Sequence, residues 1–356
     1  MQCEYDGLHE CHVFEETTLP PGHKLIGLCW VYIHKFNPEG EIIQGKEKAH
    51  LVAQGFSQHP DDYGETYAPV CKLTSVHIIL AYSAYADLEI YQFDAKCVFL
   101  NALIGHHDIY CGQIPGFPLP NPYTVYRILR ALYGLCQSAY EWYTLLRSVL
   151  ENLGFTRCEV DHGVFIGCWS TPPSPSISMP TDGSDLIMLI PVHVDDGLAA
   201  TNSVEFWKWL ITALNKSFEI TDLGPVALYL GIRITHDHPH RTLWLSQQTF
   251  VTNLLTSYHL LQSQPQSTPL HHPLHLLPPP PPNSLPDITD CDITAHYQAL
   301  VGSLTYLAVC TRPDLAYTAM ALGQFNANPT HAHLLAAKGI LRYLVGTIDY
   351  SLEYGT

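Results

Sequence analysis

Three acidic residues that follow apolar segments are the strongest candidates for chemistry. Asp94 closes the apolar segment 90–94, and Asp195 and Asp196 follow the apolar run 186–194. Like charges placed side by side are costly unless a cation neutralises them. Two Mg²⁺ ions about 3.5–4 Å apart, held by carboxylates from different strands, catalyse phosphoryl transfer. By itself the Asp-Asp-Gly run is weak evidence, because an ordinary turn has the same composition.

The segments around these acids predict the elements that position them. Apolar residues recur at helical spacing over 74–86, and this helix leads into a short strand at 90–94. Residues 186–194 are predicted to pair in antiparallel fashion with 164–166 across a Pro/Ser/Gly loop at 171–185. Because carboxylates from different strands must bridge the two metal ions, we expect the strand that ends at Asp94 to lie in one antiparallel sheet beside a hairpin carrying the two other acids, with Gly197 completing its tight turn.

Other segments predict further helices, a hairpin and a linker. The predicted elements are a β-hairpin of 28–36 and 41–43 around the turn 37–40, a helix at 138–153, and helices at 295–309, 313–325 and 332–344. The last three make the C-terminal quarter an all-helical unit. Residues 263–286, which contain five consecutive prolines, are predicted to be a semi-rigid linker.

The composition limits the classes of partner. The chain has 17 Lys and Arg against 33 Asp and Glu, a formal charge of −16, so any nucleic-acid partner must bind at local sites. Eleven cysteines without a Cys-x-x-Cys pair favour reduced thiols over a disulfide framework. No secretory leader and no apolar stretch of about 20 residues is visible, so we expect an intracellular protein that does not enter a membrane.

Residues 48–58 carry a signature block. The block reads Lys-Ala-His-Leu-Val-Ala-Gln-Gly-Phe-Ser-Gln and resembles the signature of copia-type reverse transcriptases. Further blocks follow in the family's order: Tyr67-Ala68-Pro69-Val70, residues 92–101, Leu132-Tyr133-Gly134-Leu135, Val194-Asp195-Asp196, Asp222-Leu223-Gly224, Tyr229-Leu230-Gly231-Ile232 and Thr311-Arg312-Pro313-Asp314. The resemblance covers residues 4–356 and implies an RNA-directed DNA polymerase from a retrotransposon polyprotein.

The resemblance implies an α+β fold of the right-hand polymerase type. The implied parts are fingers at 1–86 with the N-terminal hairpin, a palm at 87–240 with a fingers insertion at about 104–140, the start of a thumb at 241–262, the linker at 263–294, and a helical thumb or connection segment at 295–356 that stops before a ribonuclease H.

It also implies roles for individual residues. Asp94, aided by the carbonyl of Ala95, and Asp195 would hold two Mg²⁺ or Mn²⁺ ions, with Asp196 a less essential third acid. Phe99 would reject a ribose 2′-hydroxyl, and Lys48 would meet the incoming triphosphate. The implied partners are an RNA or DNA primer–template and dNTPs; the oligomeric state stays open.

The resemblance implies two more site residues, and three of the implied residues also have an ordinary structural explanation. Gly134 and Gln137 lie in the block that borders nucleotide and template in the family. Gly134 could equally be a turn glycine, Phe99 a buried aromatic residue, and Lys48 a solvated surface residue.

Three departures from the family pattern remove positive charge. His50 stands where the family has Arg, Gln54 where it has Lys or Arg, and Cys136 where Lys or Arg is common. A charge-assisted hydrogen bond contributes about 1.5–3 kcal/mol, so each loss corresponds to roughly 10- to 100-fold. A catalytically impaired remnant that folds and at most binds nucleic acid is therefore the main alternative. An unrelated metal-dependent phosphohydrolase is less favoured, since it leaves the other blocks unexplained.

Two His-containing clusters lie outside these blocks. Residues 236–240, His-Asp-His-Pro-His, could ligate a metal, although Pro239 and the hairpin context favour a polar turn. Cys3, His9, Cys11 and His12 do not match the spacing of a zinc module.

Overall fold

The computed structural model describes residues 1–34, 47–105, 108–270 and 290–355. These residues form two compact units. The first consists of Met1–Ile79 and Glu89–Pro225, and the second of Leu80–Leu88 and Val226–Thr356. Helices and largely antiparallel sheets occur together, so the α+β class is confirmed.

The first unit contains most of the strands. Its strands are β1 (Phe14–Thr18), β2 (Leu25–Ile26), β3 (Leu28–Ile33), β4 (Lys48–Ala53), β5 (Glu89–Ala95), β6 (Ile109–Cys111), β7 (Thr124–Ile128), β8 (Thr156–Arg157), β9 (Val164–Trp169), β10 (Leu186–His193), β11 (Asp196–Thr201) and β12 (Ile220–Pro225). Its helices are α1 (Gln2–Glu10), the start of α2 (Leu73–Ala86), α3 (Val98–Asn101), α4 (Ser138–Asn152) and α5 (Val204–Leu214). The predicted helices at 74–86 and 138–153 are confirmed.

A six-stranded antiparallel sheet is the centre of this unit. Its strand order is β12-β5-β11-β10-β9-β8, which places β5 between β11 and β12. The predicted pairing of the segments at 164–166 and 186–194 is confirmed by the β9–β10 ladder. Successive side chains of a strand point to opposite faces of the sheet. On β5, Phe93 and Ala95 are buried, whereas Gln92 and Asp94, which alternate with them, are only partly buried. The acidic residue therefore lies on the more open face of the sheet.

Helices α4 and α5 contribute apolar side chains to the core of the sheet. Trp142 and Leu146 of α4 are buried together with Phe206 and Trp207 of α5 and with Phe93 of β5. Burial of one large apolar side chain contributes about 1.5–3 kcal/mol, so this core fixes β5 and β11 firmly. The strands that carry the acids thus contribute to the larger of the two buried apolar clusters described in the unit.

Two smaller sheets form the rest of the first unit. One has the strand order β1-β7-β6-β2, and the other is the antiparallel pair β3–β4. The predicted strand at 28–36 is found as β3, and its partner is Lys48–Ala53. The predicted turn at 37–40 and return segment at 41–43 lie outside the described residues.

The second unit combines one sheet with a group of helices. Its elements are β13 (Leu228–Tyr229), β14 (Ile232–Asp237), β15 (Thr242–Ser246), α6 (Gln248–Ser257), α7 (Asp290–Cys310), α8 (Ala316–Gly323), α9 (His331–Val345) and β16 (Leu352–Tyr354). The predicted helices are found as α7, a short 3₁₀ turn followed by α8, and α9. Residues 271–286 of the predicted linker lie outside the described residues.

The expectation that the C-terminal quarter is all-helical is wrong. Strand β16 follows α9 and pairs with β15, so the sheet has the order β13-β14-β15-β16. Three residues are too few to display the alternation that marks a strand, and the partner strand is about 110 residues earlier in the chain. The sequence pattern therefore could not indicate it.

Candidate active site

The turn between β10 and β11 brings the three acids together. His193 pairs with Asp196, so Val194 and Asp195 form a two-residue turn, and Asp196 is the first residue of β11. Asp196 lies directly opposite Asp94 on β5. The backbone N–H of Ala95 donates to the carbonyl oxygen of Asp195 at 3.0 Å. The expected adjacency of the two acidic elements in one antiparallel sheet is therefore present.

The turn itself is strained and is held from outside. Val194 has φ +61°, a left-handed conformation that a β-branched residue adopts only when its surroundings impose it, at a cost of about 1–3 kcal/mol. The indole N–H of Trp142 in α4 donates to the carbonyl oxygen of Val194 at 2.8 Å. Helix α4 thus contributes a hydrogen bond that fixes the turn on which Asp195 lies.

The role expected of Gly197 is wrong. Gly197 lies inside β11 opposite Phe93, whereas the tight turn is made by Val194 and Asp195. A Cβ atom at position 197 would lie 2.1 Å from the Phe93 ring. Glycine is required there because the aromatic ring packs across the strand, which a single sequence does not reveal.

The electrostatics of the three acids favour a bound cation. Burial, followed by the charges of Asp195 and Asp94, raises the pKa of Asp196. A hydrogen bond from the Gln92 amide offsets part of this effect. Carboxylates whose mutual repulsion raises a pKa are a suitable donor set for a hard divalent cation, which prefers oxygen ligands. The residues present therefore fit the metal ions that the family uses.

A cleft of about 590 Å³ opens beside the acids in the first unit. The charged or titratable residues that line it, apart from Cys3, Cys97 and Tyr133, are Glu4, Glu47, Lys48, His50, Asp94, Lys96 and Asp195. Lys96 forms an ion pair with Glu219, whose carboxylate raises the pKa of Lys96. Lys48 is exposed on the wall of the cleft. The acids of this lining outnumber its lysines, so the cleft attracts cations more readily than phosphates.

Phe99 lies in α3, five residues after Asp94. Its ring contacts the Tyr133 ring edge to face, with 4.9 Å between the ring centroids, and the Phe99 side chain is only partly buried. Tyr133 also lines the cleft. Phe99 is thus neither fully buried nor free to move, and its role as a steric gate stays a prediction.

Gly134 has a structural requirement of its own. Its φ is +90°, and a Cβ atom at this position would lie 2.1 Å from the carbonyl oxygen of Ala53. Ala53 in turn donates its N–H to the carbonyl oxygen of Tyr133 at 2.7 Å. Close approach of two backbones accounts for the glycine, and a nucleotide contact remains a separate prediction.

Gln137 is buried, with 1% of its surface exposed. Its side-chain oxygen accepts from the Gln58 amide at 3.2 Å, and Gln58 also accepts from the N–H of Cys136 at 2.8 Å. This network joins the two motif blocks that contain Gln58 and Gln137. A positioning role for both blocks fits this geometry, whereas contact between Gln137 and a nucleotide stays a prediction.

Two of the three residues that stand where the resemblance implies a cation have hydrogen-bond partners within the protein. His50 lies 3.2 Å from the carboxylate of Glu4, measured from Nδ1 to Oε1. The thiol of Cys136 donates to the carbonyl oxygen of Gly55 at 3.3 Å. A longer cation at position 50 would therefore meet Glu4 first.

Sequence reasoning missed several residues of the site. The sequence motifs assign no role in the site to Trp142, Gln92 or Glu4. The polar atoms of an indole and an amide carry no periodic signal. The one available clue was that Gln92 stands two residues before Asp94 on a strand and hence shares its face.

The family of the chain follows from comparison with known proteins. The family described as reverse transcriptase (RNA-dependent DNA polymerase) matches residues 11–272. The chain therefore belongs to the reverse-transcriptase family, as its ordered blocks predicted.

The relatives show which branch of the family it resembles. It is 32% identical over its full length to the retrovirus-related Pol polyprotein from transposon TNT 1-94 of Nicotiana tabacum, and covers 26% of that protein. It is 33% identical over 96% of its length to the Pol polyprotein from transposon RE1 of Arabidopsis thaliana, and covers 22% of it. The chain thus spans about a quarter of the length of these copia-type relatives. A solved structure of a foamy viral protease–reverse transcriptase in complex with double-stranded DNA is similar at 12% identity and a TM-score of 0.43, over 98% of this chain and 47% of that one.

Membrane insertion through a helix finds no support in the described part of the chain. None of the helices there combines the length and the apolar character needed to cross a bilayer.

The raised pKa of Asp196 predicts the sign of a stability change. When folding raises the pKa of a carboxyl group, the protonated group favours the folded state. This stability is fully present below the ordinary pKa of about 3.9 and is lost as the pH rises through the folded-state pKa. Asp196→Asn is neutral throughout, so we expect it to raise the free energy of unfolding at pH 7 by on the order of 1 kcal/mol, with no gain below about pH 4. Saturating Mg²⁺ should reduce the gain, because it neutralises only the original carboxylate.

Urea unfolding followed by tryptophan fluorescence measures this change, since five of the six Trp residues lie in the first unit. Asp182→Asn is the control, because hydrogen bonds from the N–H and hydroxyl of Ser184 lower the pKa of Asp182, the opposite direction. Equal effects of the two substitutions at both pH values would contradict the electrostatic account.

Proposed function

We propose that this chain carries the polymerase centre of an RNA-directed DNA polymerase. The single observation that supports this best is the register that sets Asp94 opposite Asp196, with Asp195 in the adjoining turn. Asp94 and Asp195 line the cleft, and Asp196 lies opposite Asp94 on the neighbouring strand. Carboxylates contributed by neighbouring strands are what two-metal nucleotidyl transfer requires. The oxygen of a primer 3′-hydroxyl then forms a bond to the α-phosphorus of a dNTP as pyrophosphate leaves.

The metal ligands follow from the same geometry. Asp94, Asp195 and the carbonyl of Ala95 would hold two Mg²⁺ or Mn²⁺ ions, with Asp196 as a third, less essential acid. The ions would lower the charge on the transferred phosphate and favour the ionised 3′-oxygen. Within the chain, the hydrogen bond from Trp142 to Val194 would hold the backbone at Asp195 in place.

The division into functional parts is proposed on the same basis. The parts would be fingers at 1–86, a palm at 87–240 with an insertion at about 104–140, and the start of a thumb at 241–262, and the partner would be an RNA or DNA primer–template. Within them, Lys48 on the cleft wall would meet the triphosphate of a dNTP. Phe99 would lie beneath the sugar, where its ring excludes a 2′-hydroxyl. Gly134 and Gln137 would position the neighbouring strand β4 and its motif block.

An impaired centre is the second candidate, because of the charges around the cleft. The cation expected at position 50 is a histidine that faces Glu4, and Lys96 is engaged by Glu219. Only Lys48 among the lysines that line the cleft lacks an ion pair in the described residues. Weak retention of triphosphate and template would follow, with chemistry still possible because the three aspartates are present.

Primer extension on an RNA template, with purified protein and dNTPs, tests the proposed function. We expect slow extension that depends on Mg²⁺ or Mn²⁺ and falls by at least 100-fold in Asp94→Asn and Asp195→Asn, with a smaller loss in Asp196→Asn. Asp182→Asn, in the exposed loop between β9 and β10, is the matched control and should extend normally. Extension that is unchanged in Asp195→Asn would overturn the assignment, and no extension under any condition would favour the impaired remnant.

Restoring the missing cations should raise the rate. In the triple variant His50→Arg, Gln54→Lys and Cys136→Lys we expect a gain of roughly 10-fold or more, with the smallest single gain at position 50 because Glu4 competes for the new charge. Phosphate-driven binding weakens steeply with salt, so the original protein should work best at about 20 mM and poorly at about 150 mM salt.

The control adds the same charge elsewhere. Thr171→Lys, Pro173→Lys and Thr181→Lys lie in an exposed loop and do not line the cleft. Rates that rise equally in both triple variants would show that net charge alone matters. Rates that rise in neither would show that the three exchanges do not limit activity.

A further inference from the structure

A second group of possible metal ligands lies in the second unit, where the family's activity assigns no role. Asp87, His236 and His238 each offer one ligand atom, and these atoms lie within 4.8 Å of one another. In the described residues this is the only group of three or more His, Cys, Asp or Glu side chains that comes this close. Cys3, His9, Cys11 and His12 form no such group there.

The hairpin between β14 and β15 directs both histidines to one side. His236 lies in β14 and His238 two residues later, and side chains at this spacing share a face of an extended chain. Their rings are 3.9 Å apart between centroids. Asp237, between them, is engaged by His240, with 2.9 Å between Oδ2 and Nδ1. Asp237 and His240 thus pair with each other, while the imidazoles of His236 and His238 lie side by side.

Asp87 completes the group from the end of α2. It has φ +52°, and the following N–H, of Leu88, donates to the carbonyl oxygen of Ser83 at 2.9 Å. This is the pattern of a helix C-terminus, which fixes the direction of the Asp87 side chain. Its carboxylate oxygen lies 2.7 Å from Nδ1 of His238. Helix end and hairpin thus converge through these side chains.

We propose that Asp87, His236 and His238 form a binding site for a zinc-class divalent cation. Two imidazoles and one carboxylate suit Zn²⁺ and similar transition-metal ions, whereas Mg²⁺ prefers oxygen ligands only. Three protein ligands leave a fourth position for water. Zinc bonds of about 2.0–2.1 Å require ligand atoms about 3.3 Å apart, so the cation replaces the hydrogen bond between Asp87 and His238 and brings the three ligand atoms to this spacing.

A bound cation links the end of α2 to the β14–β15 hairpin. A cation that binds the folded protein and not the unfolded chain raises its stability in proportion to the logarithm of its concentration. The site shares no ligand with the acidic turn of the first unit. Its presence or absence is therefore independent of the proposed polymerase activity.

Cobalt absorption spectroscopy on the full chain tests the site, because Co²⁺ replaces Zn²⁺ and its visible bands report coordination geometry. We expect one tight equivalent of Co²⁺ that is displaced by Zn²⁺ and not by a large excess of Mg²⁺. His238→Gln and Asp87→Asn, both close in size to the original residues, should each weaken this equivalent at least tenfold. His236→Asn should do the same.

His240→Ala is the matched control, since His240 lies on the same turn but pairs with Asp237 instead. It should leave the affinity unchanged within about twofold, and circular dichroism should show that every variant is folded. Tight binding that survives in both His238→Gln and Asp87→Asn would overturn the proposal and place the ion at other histidines or cysteines. Equal losses in His240→Ala, or displacement by Mg²⁺, would overturn it as well.

Discussion

Repulsion among three carboxylates is the constraint on which the first unit depends. Asp94 and Asp196 lie on adjacent strands and Asp195 in the turn beside them, and burial together with the charges of Asp195 and Asp94 raises the pKa of Asp196. Such an arrangement lowers the stability of the protein alone, and the folded state tolerates it because a large apolar core lies beneath the same strands. A divalent cation bound there would relieve the repulsion, so the proposed function would couple the stability of the site to its chemistry.

The surroundings of the turn supply order rather than charge. The hydrogen bond from Trp142 holds the strained Val194, Gly197 leaves room for the Phe93 ring, and the Gln58–Gln137 pair joins two motif blocks. Each contact fixes backbone near the acids without adding a charge to the cleft. Under the proposed function, the absence of cations at positions 50, 54 and 136 would leave this framework intact and would weaken only the electrostatic attraction for phosphates.

Much of the fold and of the acidic site could be predicted from the sequence. Helices α2 and α4 and the β9–β10 pairing followed from periodicity and apolar runs. The adjacency of the acidic elements followed from the requirement that carboxylates of different strands bridge two metal ions. Pairings between distant segments could not be predicted, because β16 is three residues long and Asp87 meets His238 across about 150 residues. The family motifs also gave no sign that Gly134 and Gln137 are engaged by backbone packing and a buried amide pair.

Fe²⁺-directed backbone cleavage is the measurement that tests the central claim most directly. Fe²⁺ bound in place of Mg²⁺ generates hydroxyl radicals beside the ion in the presence of ascorbate and peroxide, and the radicals cut the nearest backbone. If the three aspartates form one cation site, cuts should occur near residues 94–97 and 193–197, disappear in Asp195→Asn, and be suppressed by excess Mg²⁺. Cuts that avoid both segments, or that persist there in Asp195→Asn, would contradict it.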